Sequence, residues 1–260
     1  MQITKEQRFI ASSLLLSLGF IGINYVSDSF RLFAILGLTL FTLVLFAISL
    51  WEGLGINSTL LSLILPPLFT LGVGIFWFLI PVSIFARLPV VVLFGTGIYF
   101  LARTENIFTV SSYKTIPLFR GARWVGFILT FLTAFFLYNA IISIKANVVA
   151  TSIGVALISL FLFLQGLWVS SIEKKDLVLS KMFLYSIVFA FGITQISLLL
   201  YFWPVTVVVG SIFLTIGVYV LLGLGQAQLE GRLFKETVQD HLLVGLIVFA
   251  VMFFVTHWGS

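Results

Sequence analysis

Polar residues interrupt this chain only in short clusters, and the apolar runs between them are about 18 to 23 residues long. A helix rising ~1.5 Å per residue needs runs of that length to cross a hydrocarbon layer ~30 Å thick. The run at 40–50, LFTLVLFAISL, shows none of the alternation that the ~10-residue strands of a membrane barrel require. The pattern therefore predicts an all-α, polytopic transmembrane helix bundle. About nine spans fit, over 9–26, 32–50, 60–80, 88–102, 124–144, 148–170, 182–202, 205–225 and 242–258.

Breaker residues divide these runs. Gly53, Gly55, Asn57 and Ser58 make a loop after the second span, and the connections at Lys145-Ala146-Asn147 and Trp203-Pro204 are tight. Short connections make spans five and six, and seven and eight, antiparallel neighbours. Pro66 and Pro67 remove backbone donors inside the third span, with Gly72 and Gly74 close behind, so a kink or break is expected there. The stretch from Leu60 to Ala102 also holds Pro81, Pro89 and a single charge, Arg87, which leaves its second span short for a full crossing. Between Gln226 and His241 there is room for a short surface helix, with Arg232 and Glu236 one turn apart. No internal repeat is visible, and residues 1–260 read as one integral membrane domain.

The longest polar interruption is 103–123, RTENIFTVSSYKTIPLFRGAR, with four basic residues and one acid. It orients the bundle. With a cytoplasmic N-terminus, Lys5, Arg8, Arg103, Lys114, Arg120, Arg123, Lys174, Lys175, Lys181, Arg232 and Lys235 fall on the inner side. Only Arg31, Arg87 and Lys145 fall outside. That bias is the one cytoplasmic loops carry, and it predicts a multi-pass protein of the inner (plasma) membrane. Trp51, Trp124, Trp168, Trp203 and Trp258 lie at span ends, where an amphipathic ring prefers to sit. Lys5 and Arg8 before the apolar run 9–26 read as the flank of an uncleaved first span.

Composition agrees: 61% hydrophobic and 9% charged residues lie far from the soluble norm. The net charge of +5 sits at helix ends and so explains orientation; it gives no reason to expect nucleic acid as a partner. The absence of cysteine excludes disulfides, thiolate metal sites and cysteine nucleophiles. Glu6, Glu52, Glu105, Glu173, Asp176, Glu230, Glu236 and Asp240 fall in inner segments and Asp28 in an outer one, leaving no carboxylate inside a span. A carrier with a buried carboxylate relay is disfavoured on that ground. His241 and His257 stand roughly 24 Å apart along one helix and cannot share a metal. Nucleophile elbows, zinc-binding His pairs and phosphate loops are missing, so no catalytic residue, metal or cofactor is expected.

Two sets of residues remain as candidates for ligand contact. Gln195, near the middle of the seventh span, needs a hydrogen-bond partner in hydrocarbon. With Pro66, Pro67, Gly95 and Gly97 it would shape an internal groove for an apolar or lipid-like molecule. Arg103, Lys114, Arg120 and Arg123 would meet lipid headgroups or a phosphate. Their segment is either a surface-lying helix that dips Ile107, Phe108, Val110 and Tyr113 into the interface, or a plain connecting loop. The reading that follows is a non-enzymatic protein, a membrane scaffold subunit or a handler of lipid-like molecules. Its partners would be the bilayer and other membrane subunits. The alternative is a membrane-embedded enzyme acting on a lipid-linked phosphate, with Glu105 or Glu52 assisting.

Overall fold

The computed structural model describes residues 4–55, 59–80, 84–172 and 179–256, with all side chains in these ranges except those at 28 and 84–86. Asn57, Ser58, Pro81, Glu173, Lys174, Lys175, Asp176, His257 and Trp258, on which parts of the sequence reading rest, lie outside the described residues. Among the described residues the chain is helical and has no strands. The helices are α1 (Lys5–Gly22), α2 (Arg31–Leu50), α3 (Leu65–Trp77), α4 (Ile84–Ser111), α5 (Phe119–Ile144), α6 (Val148–Ser171), α7 (Leu179–Tyr201), α8 (Val207–Leu229) and α9 (Lys235–Val255). Among the described residues there are nine helical segments long and apolar enough to cross a membrane.

Local chemistry sets several of the ends. Thr4 and Gln7 form a reciprocal cap: the Thr4 hydroxyl accepts from the Gln7 amide at 3.3 Å, and the Gln7 side chain accepts from the Thr4 amide at 3.0 Å. Asn147 caps α6 through the Ala150 amide, 2.8 Å away. The expected break near Pro66 is present. A 3₁₀ segment, Thr59–Leu63, precedes α3, and both prolines sit in the first turn of α3, where a backbone N–H has no helical acceptor to lose.

Several helices run further than the apolar runs. The fourth span was expected over 88–102, but α4 continues to Ser111; the fifth, expected from 124, begins at Phe119. The segment 103–123 is therefore neither a surface-lying helix nor a loop throughout: its first part finishes α4 and its last part starts α5. The reason is a buried stripe on α4, Ile98, Leu101, Ala102, Glu105, Phe108 and Thr109, which continues at helical spacing past the first charge. Phe108 packs edge-on against Phe119, and a Cβ on Gly126 would meet its ring at 3.0 Å. Likewise no separate surface helix occupies 226–241. α8 runs to Leu229, and Glu236, Asp240 and His241 belong to the start of α9, where the helix dipole favours acids.

The chain divides into two compact units, 1–133 and 134–260, with the boundary inside α5. In the first unit, α1 to α4 alternate in direction, as contacts at both ends show. At one end Glu52, after α2, meets Lys5 (2.6 Å) and Arg8 (3.0 Å) of α1, and Gly53 lies against Thr109 of α4. At the other, Asn24 after α1 meets Trp77 of α3 and Arg87 of α4. The core between them holds stacked Phe20, Phe94 and Phe69, and a hydroxyl pair, Thr42 with Thr70, at 3.0 Å.

In the second unit α6 packs most extensively on α7, and α8 bridges α6, α7 and α9. Polar side chains join the helices inside it. The Tyr138 and Ser159 hydroxyls share a hydrogen bond of 2.7 Å, Asn139 donates to Ser211 at 3.2 Å, and Gln226 donates to the Gly166 carbonyl at 2.8 Å. Such bonds satisfy buried amides and hydroxyls while fixing helix register.

Candidate functional site

The second unit carries a cleft at the end where α5 and α7 stop and α6 and α8 start. It encloses about 380 Å³, within the ~300–1,000 Å³ typical of small-molecule sites. Ile142, Leu200, Val205 and Val207 give it apolar walls, and Lys145, Thr151, Ser197 and Tyr201 bring polar atoms to it. The backbone explains why these groups converge. Lys145 has φ +49°, a left-handed conformation that reverses the chain between α5 and the Asn147 cap of α6. The Tyr201 hydroxyl, at the end of α7, donates to the Ala146 carbonyl of that turn at 3.3 Å. A cation and a phenol therefore stand beside an apolar recess, the layout that suits an amphiphile with a polar head.

The left-handed Lys145 gives a test of this turn. Lys145→Asn, which tolerates the conformation, should leave stability within about 1 kcal/mol of the parent, whereas Lys145→Val should lose roughly 1–2 kcal/mol. Thermal unfolding in detergent measures both.

The residues singled out from sequence are scattered. Gly95 and Gly97 sit at helix crossings in the first unit: a Cβ on Gly95 would come within 2.5 Å of the Ser17 hydroxyl, and one on Gly97 within 2.7 Å of the Phe69 ring. Ser13 also donates to the Gly95 carbonyl at 2.7 Å, a bond that needs the close approach. Pro66 is buried and Pro67 half-buried in the first turn of α3. Gln195, expected to be bonded inside the bundle, is exposed on α7 and has no hydrogen-bond partner among the described residues. The interhelical amide role falls instead to Asn139 and Gln226. Of the basic set, Arg103 is exposed on α4, with its guanidinium 5.7 Å from the Tyr99 ring centre and donating to the Tyr99 hydroxyl. Lys114 and Arg120 are exposed, and Arg123 is half-buried.

The two acids offered for catalysis differ: Glu52 is exposed but paired, and Glu105 is closed to a substrate. Glu52 is held by Lys5 and Arg8, and Glu105 has no exposed surface at all. The expectation that no carboxylate lies inside a span is corrected here, because Glu105 belongs to the helical stretch Arg87–Ser111 that is long and apolar enough to cross a membrane. It lies within one turn of Thr109, which packs on Gly53, so it stands near the Lys5–Glu52 end of the unit and not at mid-helix.

A family model described as "Protein of unknown function (DUF5656)" matches residues 13–255, nearly the whole chain. The chain belongs to this family. No curated protein matches it, and no solved structure does.

In this family member the polar groups that converge are ones the sequence did not single out. Lys145 and Tyr201 stand 56 residues apart, and no local pattern links them. Arg87 was visible as the lone charge between Leu60 and Ala102. It meets Trp77, which the sequence reading did not single out, at Asn24. His241, by contrast, is packing material: it stacks on Tyr219 with ring centres 5.3 Å apart and lies against Gly223.

Proposed function

We propose that this protein is a multi-pass protein of the inner (plasma) membrane, with its N-terminus in the cytoplasm, that binds and handles lipid-like amphiphiles without altering them chemically. The cleft between the α5–α6 and α7–α8 turns carries the reading, since it joins an apolar recess to Lys145 and Tyr201 at a helix end. The outer faces of the helices support membrane residence. In the first unit Leu14, Leu18, Leu40 and Leu93 are exposed, and in the second Phe191, Leu199, Leu246 and Phe254, large apolar side chains that lipid matches better than water. The excess of basic residues in the segments assigned to the cytoplasm supports the orientation.

The cleft is tested by filling it. A Cβ on Gly210 first meets Ile142 and Val205 at 3.5 Å, ordinary contact, so Gly210→Ala should keep the parent's lipid content on purification. Gly210→Leu should reach into the recess and reduce copurified lipid several-fold, and Lys145→Asn should do so for anionic lipid in particular. Equal lipid content in all four proteins would remove the cleft from consideration. Orientation is tested by reporters fused after Thr115, in the α4–α5 turn, and after Ala146, in the α5–α6 turn. Activity in the cytoplasm is expected for the first and outside it for the second.

A further inference from the structure

A second polar convergence lies in the first unit, at the end away from the Lys5–Glu52 pair. Asn24 follows α1, Trp77 ends α3 and Arg87 stands in the first turns of α4. The Asn24 side-chain oxygen accepts the Trp77 indole N–H at 3.1 Å and an Arg87 Nη1–H at 2.6 Å, which occupies both of its lone pairs. The Arg87 guanidinium also lies over the Trp77 ring, 5.0 Å from its centre, and Arg31 lies 5.1 Å from the centre of the adjacent Phe78 ring.

Counting what is left unspent decides the chemistry. Arg87 bonds no carboxylate among the described residues; its contacts are Asn24 and Trp77. Its Nε is shielded from solvent with no partner among the described residues, and among them its remaining Nη hydrogens and the Asn24 amide hydrogens are unengaged as well. Every free polar group of Asn24, Trp77 and Arg87 is therefore a donor, and the one acceptor is used up. The bond to Asn24 and the contact over the Trp77 ring hold the guanidinium in place, so a ligand that bonds it meets donors already positioned. A planar fork of donors matches two oxygens of a phosphate or carboxylate, and a partly desolvated cation with no counter-charge among the described side chains gains from either.

We propose that Arg87, set in orientation by Asn24 and Trp77, forms a binding site for a phosphate oxyanion. A phospholipid headgroup and free phosphate present the same oxygens, and experiment separates them. The site is independent of the cleft in the second unit and stands or falls without it.

The test is thermal stabilisation of the protein in an uncharged alkyl maltoside. One series titrates inorganic phosphate against chloride at equal ionic strength. The other titrates a short-chain phosphatidylglycerol against a glycolipid with the same tails and no phosphate. Stabilisation by the phospholipid alone assigns the headgroup as the source, and stabilisation by inorganic phosphate assigns the free anion; either supports the site. Arg87→Gln should weaken the effective affinity about tenfold to a hundredfold, the usual effect of losing a charge-assisted contact. Asn24→Asp is the decisive variant. It gives Arg87 an internal carboxylate, so the protein should melt at or above the parent temperature while its response to the ligand disappears. The proposal is overturned if neither series stabilises the parent, or if Arg87→Gln and Asn24→Asp respond to ligand as the parent does.

Discussion

Gly97→Leu is expected to destabilise the first unit by about 3 kcal/mol, the upper part of the range for overpacking a close-packed contact. The added Cβ would fall 2.7 and 2.9 Å from two carbons of the Phe69 ring, and that ring cannot retreat freely because it stacks on Phe94, 6.0 Å away between centres. Gly37→Leu is the matched control: it is also a glycine within a helix, but nothing lies within 4 Å of its Cβ. It should be neutral or slightly stabilising, since leucine is the better helix former by several tenths of a kcal/mol. Thermal unfolding and size-exclusion profiles in detergent compare the two. A stable Gly97→Leu with reduced lipid content would restore the reading of Gly97 as the wall of a groove.

The second large effect is expected at Trp77. Its ring is fully buried edge-on to Phe20, with centres 4.9 Å apart, and its N–H is spent on Asn24. Trp77→Ala should cost roughly 3–5 kcal/mol, as deletion of a large buried aromatic does. Trp77→Phe keeps most of the volume and loses the N–H, so about 1 kcal/mol is expected from the missing hydrogen bond. A loss under 1 kcal/mol for Trp77→Ala would mean that α1, α3 and α4 do not meet at this ring.

Part of this architecture is legible before any coordinates. Helical class and the number of membrane-length segments follow from run length, because each residue adds its own transfer free energy wherever its neighbours point. The break at Pro66 and Pro67 is legible for a similar reason: a proline acts on its own turn. The ends of α4, α5 and α9 were not legible in this way. A hydropathy run stops at Arg103, whereas α4 continues because one face stays buried, as Phe108 and Thr109 do; α9 begins before its apolar run with Glu236 in its first turn, where the helix dipole favours an acid.

Candidate sites were less legible still. Gly95 and Gly97 stand out in sequence, yet the same small size serves a close crossing or a groove, and only Ser17 and Phe69 decide between them. Gln195 looks interior by depth along its span, but depth does not state which way a side chain faces; on α7 it faces outward.

The additive part of the fold was therefore readable from residue order: helical segments long and apolar enough to cross a membrane, and a helix break at two prolines. Tertiary structure decided the rotation of each helix about its axis, and with it which polar groups meet. Asn24 reaches Trp77 across 53 residues and Arg87 across 63. Such meetings depend on how side chains interlock between helices, and no local count of hydropathy or charge contains that information.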